Sequence, residues 1–395
     1  MSVGRKFRRV ILGMSGGIDS SVAALILKKQ GYDVSGLFMK NWNITDETGN
    51  CSVDQDFQDA ARVCSTLGIT LLEANFSKEY WNYVFTDLID QYQNGQTPNP
   101  DVLCNRHIKF NRFVNYAIER YGADAIATGH YAQSSFGSFL ESYDKVKGVH
   151  LLKAVDKFKD QTFFLNQVYQ DSLQRTMFPL GSLTKDQVKK IAFENNFFHL
   201  LDKRESTGIC FIGKRKFSSF ISEYLPDTEG SFIDVDTGLH VGRHRGIHHW
   251  TLGQRCRIGG NADRFYTAKK VPNTQDILVA MGKKHLILWS QHLTTSQPNW
   301  IHSVPKILTK GGVLHCEFRF QHTYPLIPCK VMMKEDTSLI IILEKPLFAL
   351  TAGQYAVLYK DNECLGGAKI ENTAPSLYTI SNNCNNRQSK ACGGP

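Results

Sequence analysis

No stretch of the 395 residues approaches the roughly 18 consecutive apolar positions of a membrane-crossing helix, which excludes a bilayer-spanning helical protein. Ten cysteines are present, yet no two stand in a C-x-x-C pair and no secretory apolar segment precedes them. A disulfide scaffold is therefore not expected, and reduced thiols in a reducing compartment are. The opening MSVGRKFRRV contains no acid. It is basic, but the first strand is expected from about Arg9, so the run is too short for a clear organelle transit peptide and leaves targeting open. There is no internal repeat. What is present is a globular composition, 42% hydrophobic and 21% charged, with a formal net charge of +9. The length implies two or three domains. The positive excess is compatible with a polyanionic partner without requiring one.

Residues 9–13 (RVILG) read as a short buried strand, followed by a glycine-rich turn and a helix from about Ser20 to Gln30, stopped by Gly31. YDVSGLFMK, ITLLEANF and ADAIATGH read as three further strands. Helical periodicity in SVDQDFQDAARVCSTLG, SKEYWNYVFTDLIDQYQNG and HIKFNRFVNYAIERYG separates them, with terminal glycines at 68, 95 and 122. Strands alternating with helices predict a parallel, doubly wound sheet, whose ligands sit beyond the carboxyl ends of the strands. Near residue 215 the pattern changes to short strand-like pieces with frequent turns, and from 297 onward it is almost wholly β. The expected architecture is an α/β doubly wound domain over 1–214, a small mainly-β central domain over 215–288 and a C-terminal β-barrel over 289–380. The polar tail 381–395 is expected to be disordered.

Another absence is chemical. GMSGGIDSSVAALIL (13–27) has the glycines and hydroxyls of a phosphate cradle but not the lysine of the usual ATP-binding loop. Glycines let backbone N–H groups approach phosphate oxygens, and the helix start adds its dipole. Ser15, Ser20 and Ser21 add hydroxyls, and Asp19 could hold Mg²⁺. A plain strand–turn–helix would explain one glycine, not this whole pattern. A second motif, TPNPDVLCN (97–105), places Asp101 three positions before Cys104. Pro98 and Pro100 forbid regular helix, so a stiff loop is expected to present a carboxylate and a thiol together. A third, ESTGICFIGKRKF (205–217), surrounds Cys210 with Lys203, Arg204, Lys214, Arg215 and Lys216. Such cations lower a thiol pKa or grip RNA phosphate. Taken singly, either cysteine could be an incidental buried thiol.

The loop 13–20 resembles that of the N-type ATP pyrophosphatases (adenine nucleotide alpha hydrolase-like, PP-loop), which split ATP between the α and β phosphates. Over almost its whole length the chain resembles the tRNA-specific 2-thiouridylases. The resemblance is carried by GMSGGIDSSV, MKNW (39–42), TPNPDVLCNRHIKF, ADAIATGHYA, FKDQTFFL (158–165), STGICFIGKR, HWTLGQR (249–255), FRFQH (318–322) and AGQYAVLY (352–359). The spellings MKNW, KEYWNYVF and CFIGKR are similar to the eukaryotic mitochondrial branch, which implies a mitochondrial address.

The resemblance implies an ATP-dependent sulfurtransferase that adenylates the C2 oxygen of a tRNA wobble uridine and replaces it with persulfide sulfur, giving 2-thiouridine. By the same resemblance Gly13, Met14, Ser15, Gly16, Gly17, Ile18, Asp19, Ser20, Met39 and Gly129 bind ATP with Mg²⁺. Asn99, Pro100 and Asp101 face the target base. His130, Lys159, Asp160, Gln161, Arg319, Phe320 and Gln354 match tRNA-contact positions. Phe320 stands where relatives often carry Tyr, keeping a ring for stacking on a base but losing a hydroxyl. Cys210 matches the persulfide carrier and Cys104 its partner nucleophile, with Asp101 as general acid/base. The implied partners are tRNA, an upstream persulfide donor, and a reductant for a Cys104–Cys210 disulfide.

Two other readings explain less. A small-molecule synthetase with the same loop leaves Cys104, Cys210 and the barrel unused, and a non-enzymatic RNA-binding module leaves the two loops without purpose. An iron–sulfur cluster on Asp101, Cys104 and Cys210 lacks a third cysteine in a tight motif. In HVGRHRGIHHW (240–250), His240, His244, His248 and His249 invite a metal reading. The glycines argue strand and turn, so polar surface or RNA contact is the expectation there. Cys316, Cys329 and Cys364 are expected to be packing residues.

Overall fold

Val10, Ile11 and Leu12 have no exposed surface, as a strand covered on both faces of a parallel sheet requires. In this computed structural model, which describes residues 6–42, 52–203, 217–259, 264–373 and 376–380, they form the strand Arg9–Met14 at the centre of a five-stranded sheet. The order across the sheet is Thr70–Asn75, Asp33–Lys40, Arg9–Met14, Ala125–Ala127, Thr176–Met177, with every pairing parallel. The helices Ile18–Lys29, Ser52–Leu67 and Phe113–Tyr121 are among its crossovers. The first begins two residues earlier than the sequence suggests and the fourth strand is shorter. The doubly wound arrangement is as expected.

The central domain is a second five-stranded sheet, ordered Arg255–Cys256, Phe265–Val271, Asp276–Met281, Gly230–Asp234, His240–His244. The third sheet runs Trp289–Thr295, Leu339–Phe348, Ile327–Met333, Leu314–Arg319, Tyr355–Lys360, Glu363–Asn372. Its last strand pairs back to the first, closing a six-stranded barrel. Cys364 is fully buried, and Cys316 and Cys329 face each other across two barrel strands with their sulfurs 3.6 Å apart, all three as free thiols. The tail 381–395 lies outside the described residues.

Catalytic domain and barrel are not merely adjacent. Two short strands of the first domain extend the barrel sheet: Leu151–Leu152 pairs with Glu363–Cys364, and Gln133–Ser134 pairs with Leu151–Leu152. The largest hydrophobic core, built on the parallel sheet, also takes in Ile301, Tyr355, Val357, Tyr359 and Cys364 from the C-terminal region.

One local expectation is corrected. The stretch after Pro98 is not a loop: a helix runs Pro100–Leu103 and continues into a π-wound segment, Cys104–Arg112. Pro100 occupies the first turn, where its fixed φ suits the helix and its missing N–H is not needed. A proline there starts a helix that it would break further in. The neighbouring helical stretch is also π-wound, at Trp81–Phe85.

Candidate active site

The nucleotide loop forms where Arg9–Met14 ends and Ile18–Lys29 begins. Gly16 has φ +67°, and a Cβ there would lie 2.1 Å from the carbonyl oxygen of Asp56. Gly129, just past the strand Ala125–Ala127, packs against the same helix start, and its Cβ would lie 2.8 Å from the Ser20 nitrogen. Neither position has room for a side chain, so the turn is held open at backbone level, the geometry a phosphate chain needs. Met39, near the end of the adjacent strand, faces Gly13, where a Cβ would lie 3.4 Å from its Cε. Ser20 and Ser21 both donate to the Gly17 carbonyl, at 3.1 and 2.9 Å, and the Ser15 nitrogen donates to Ser20 Oγ at 3.2 Å. Ser15 is the exposed hydroxyl of the three; Ser21 is wholly interior and shapes the turn.

Three residues here were not singled out as nucleotide-loop partners in the sequence. Lys185, the first residue of a helix capped by Thr184, reaches both oxygens of Asp19 at 2.8 Å, and the Tyr131 hydroxyl donates to Asp19 at 2.8 Å. Asp19 is thus already committed to an ammonium, and a Mg²⁺ on its carboxylate would have to displace it. The capping box marks Lys185 as a helix start, but nothing local signals its reach. Lys203, counted among the cations near Cys210, instead donates to the Gly16 carbonyl at 3.0 Å, Asp56 at 2.7 Å and Asp59 at 2.5 Å. Burial opposes its charge, but these carboxylates outweigh that and raise its pKa.

Asp101 and Cys104 share the short helix and the start of the π segment, with Cys104 4% exposed. Burial raises the Asp101 carboxyl above its ordinary value, with Lys109 pulling the other way. Burial and then Lys109 hold His130 well below its usual value, so it is a neutral imidazole, hydrogen-bonded through Nδ1 to Thr128 Oγ1 at 2.9 Å. The positive charge of Lys109, on the π-wound segment, bears on both groups.

The barrel clasps this helix from outside. Gln354 Nε2 donates to the carbonyls of Thr97 at 2.8 Å and Pro98 at 3.3 Å, and Asn99 Nδ2 donates to Gln354 Oε1 at 3.4 Å. Gly353 has φ +93° and no space for a Cβ beside Thr97. A residue matched to the base pocket and one matched to tRNA contact are thus brought together.

Two matched tRNA-contact residues are interior instead. Phe320 is 1% exposed, in the barrel core beside Phe318 and Tyr324, so its ring is not offered to a base. Asp160 is 3% exposed and accepts from the Ala154 nitrogen and Thr162 Oγ1 while facing Arg319 Nη1 at 3.7 Å. An anion so placed ties barrel to catalytic domain and does not meet a polyanion. Gln161 pairs with the Tyr131 backbone in both directions, at 2.8 and 2.9 Å, and Lys159 is half-buried.

Cys210 lies outside the described residues, as do Arg204, Lys214, Arg215 and Lys216. The residues on either side of that segment are placed. Lys203 is pinned to the nucleotide loop. Phe217 packs on Tyr92 at 5.2 Å, and Phe220 and Tyr224 pack on Phe85.

A parallel α/β domain with a lysine-free glycine loop, a carboxylate and a buried thiol on one helical stretch, and two further β-domains define an ATP-pyrophosphatase-like enzyme architecture. Residues 8–214 match a family model described as the tRNA methyl transferase HUP domain, 218–281 its PRC-barrel domain, and 290–370 an aminomethyltransferase beta-barrel domain. The chain is 48% identical to mitochondrial tRNA-specific 2-thiouridylase 1 of Drosophila melanogaster, over 93% of this chain and 95% of that one. It is 46% identical to the protein of that name in Homo sapiens, over 94% and 92%. It is 41% identical to tRNA-specific 2-thiouridylase MnmA of Mycoplasma capricolum, over 92% and 98%. The chain belongs to the tRNA-specific 2-thiouridylase family.

Proposed function

We propose that this protein is an ATP-dependent tRNA sulfurtransferase making 2-thiouridine at the wobble position, acting in mitochondria as its animal relatives' names indicate. The observation that carries the reading is the placement of Asp101 and Cys104 on one helical stretch of the same parallel α/β domain that holds the glycine-built turn. The uridine C2 oxygen attacks the α-phosphate of Mg²⁺-ATP and pyrophosphate departs. The glycine-built turn and Lys185 suit holding that leaving group. The terminal sulfur of a Cys210 persulfide then attacks C2, and AMP leaves with the oxygen. The Cys104 thiolate attacks the Cys210 sulfur, leaving the transferred sulfur on the base and a Cys104–Cys210 disulfide. A dithiol reductant supplies two electrons to reset it. Asp101, its pKa raised by burial, exchanges the proton at the base. Neutral His130 and exposed Ser15 complete the polar lining, and Arg319 and Gln354 position the barrel against it. The methyl-transfer wording of the family model accounts for neither the phosphate loop nor the paired cysteines.

The test is to supply ATP, Mg²⁺, a persulfide donor and a wobble-uridine tRNA and measure 2-thiouridine by mass spectrometry. Wild-type protein should form it, and Cys104→Ala and Cys210→Ala should not. Normal thiolation by both variants would overturn the persulfide route. tRNA affinity insensitive to salt would overturn the reading that the chain's positive excess grips RNA phosphate.

A further inference from the structure

The histidine-rich stretch HVGRHRGIHHW is not used by the chemistry above. It folds as the strand His240–His244, then a tight turn, then a 3₁₀ turn at Ile247–His249. That turn sets two neighbouring imidazoles with centroids 4.1 Å apart and their planes tilted by 46°. Facing them is Asp227, on the connection between the helix Phe217–Ile221 and the strand Gly230–Asp234. Its Oδ1 lies 2.8 Å from His249 Nε2 and 3.7 Å from His248 Nε2, and one donor atom from each residue falls within 4.8 Å of the other two.

We propose that Asp227, His248 and His249 form a binding site for a zinc-like divalent transition-metal ion. His248 is 5% exposed, and its Nε2, turned toward Asp227, has no hydrogen-bond partner among the described residues. A buried orphan of that kind is costly unless something coordinates it. The ring is also deliberately seated: a Cβ on Gly246 would lie 2.5 Å from His248 Cε1, so only glycine leaves room for it. Zinc bonds of about 2.0–2.2 Å place neighbouring donor atoms roughly 3.3 Å apart, between the two separations seen here. Two imidazoles with one carboxylate favour a borderline metal over Mg²⁺ or Ca²⁺.

Two cations face the cluster. Arg245 pairs with the other oxygen of Asp227, and its side chain is 82% exposed, so solvent can take it over. Lys270 is the second, a buried lysine whose charge opposes another cation beside His248. A bound ion would staple the connection downstream of the Cys210 segment to the central domain. The proposal is independent of the thiolation reading, because none of its three residues is assigned to that chemistry.

The experiment uses full-length protein, stripped with chelator, fully reduced and without ATP, titrated with Co²⁺ as a spectroscopic probe. One ion per chain should bind with visible d–d bands and no sulfur-to-cobalt charge-transfer band. Zn²⁺ should displace it and excess Mg²⁺ should not. Asp227→Asn and His248→Gln should each weaken binding at least about tenfold, since even outer-shell losses cost 10–100-fold. Zn²⁺ should raise the thermal midpoint of wild type and not of either variant. Asp227→Asn is near-isosteric on a partly exposed residue and carries the test if His248→Gln folds poorly. No binding by wild type, a spectrum owed to thiolates alone, or undiminished binding by Asp227→Asn would each overturn the proposal.

Discussion

At the nucleotide end of the site the backbone does the holding: Gly16 and Gly129 approach main-chain atoms so closely that neither can carry a side chain. At the thiol end side chains do it. Burial, opposed by the Lys109 charge, raises the Asp101 carboxyl, burial and then Lys109 lower the His130 imidazole, and Gln354 fastens the preceding stretch from more than 250 positions away in sequence. The first arrangement is local and intolerant of added atoms. The second is long-range and is sensitive to charge and to the docking of the barrel. Lys203 belongs to the first end: it holds the Gly16 carbonyl and is the last described residue before the Cys210 segment.

The contrast can be broken from either side. The largest effect is expected at the thiol end, where Asp101→Asn should slow single-turnover thiolation by about 10²–10⁴-fold while ATP still binds. Burial raises the folded-state pKa of Asp101 above its unfolded value. The stability from its protonated form is therefore fully present below the unfolded value and lost as pH rises through the folded one. At neutral pH the ionised group is a cost, so Asp101→Asn should be no less stable than wild type in urea titrations at pH 7. Lys109→Met removes the opposing cation, raises the Asp101 pKa further and should move the acid limb of the pH–rate profile to higher pH. An unmoved limb would separate Lys109 from the acid–base group.

At the nucleotide end, Gly16→Val meets Asp56 and a positive φ together, and should lower ATP-dependent turnover by about 10²-fold or more with tRNA affinity nearly intact. A smaller effect, about tenfold, is expected for Gln354→Ala in thiolation, since the helix loses its clasp without losing a reacting group. ATP affinity measured by calorimetry should not change, and a parallel fall would show that the two ends are not separately built. Smallest is Ser21→Ala, which loses one buried hydrogen bond to Gly17 and should cost about 1 kcal/mol in chemical denaturation, with activity retained.

The nucleotide end was the more legible in sequence because its determinants are contiguous: a buried strand, glycines and a helix within twenty residues. The parallel sheet and the barrel were equally readable, since each rests on a repeated period. Pro100 misled because a proline's effect depends on its place in the helix, which spacing does not state. Lys185, Lys203 and Lys109 escaped because each acts across the fold on a partner far away or out of helical register. Asp160 and Phe320 were matched by position within a motif, and motifs do not report burial. Whether such a residue meets RNA or the neighbouring domain is decided by packing.

The shared sheet between the catalytic domain and the barrel also has a consequence for how the chain is made. The strands Gln133–Ser134 and Leu151–Leu152 need Glu363–Cys364, which a ribosome adding about 5–20 residues per second delivers on the order of tens of seconds later. During that interval the apolar surface meant for Tyr355, Val357 and Tyr359 is complete but uncovered. Until the barrel forms, that surface is aggregation-prone, and removing the last barrel strand is expected to destabilise a domain that ends some 150 residues earlier.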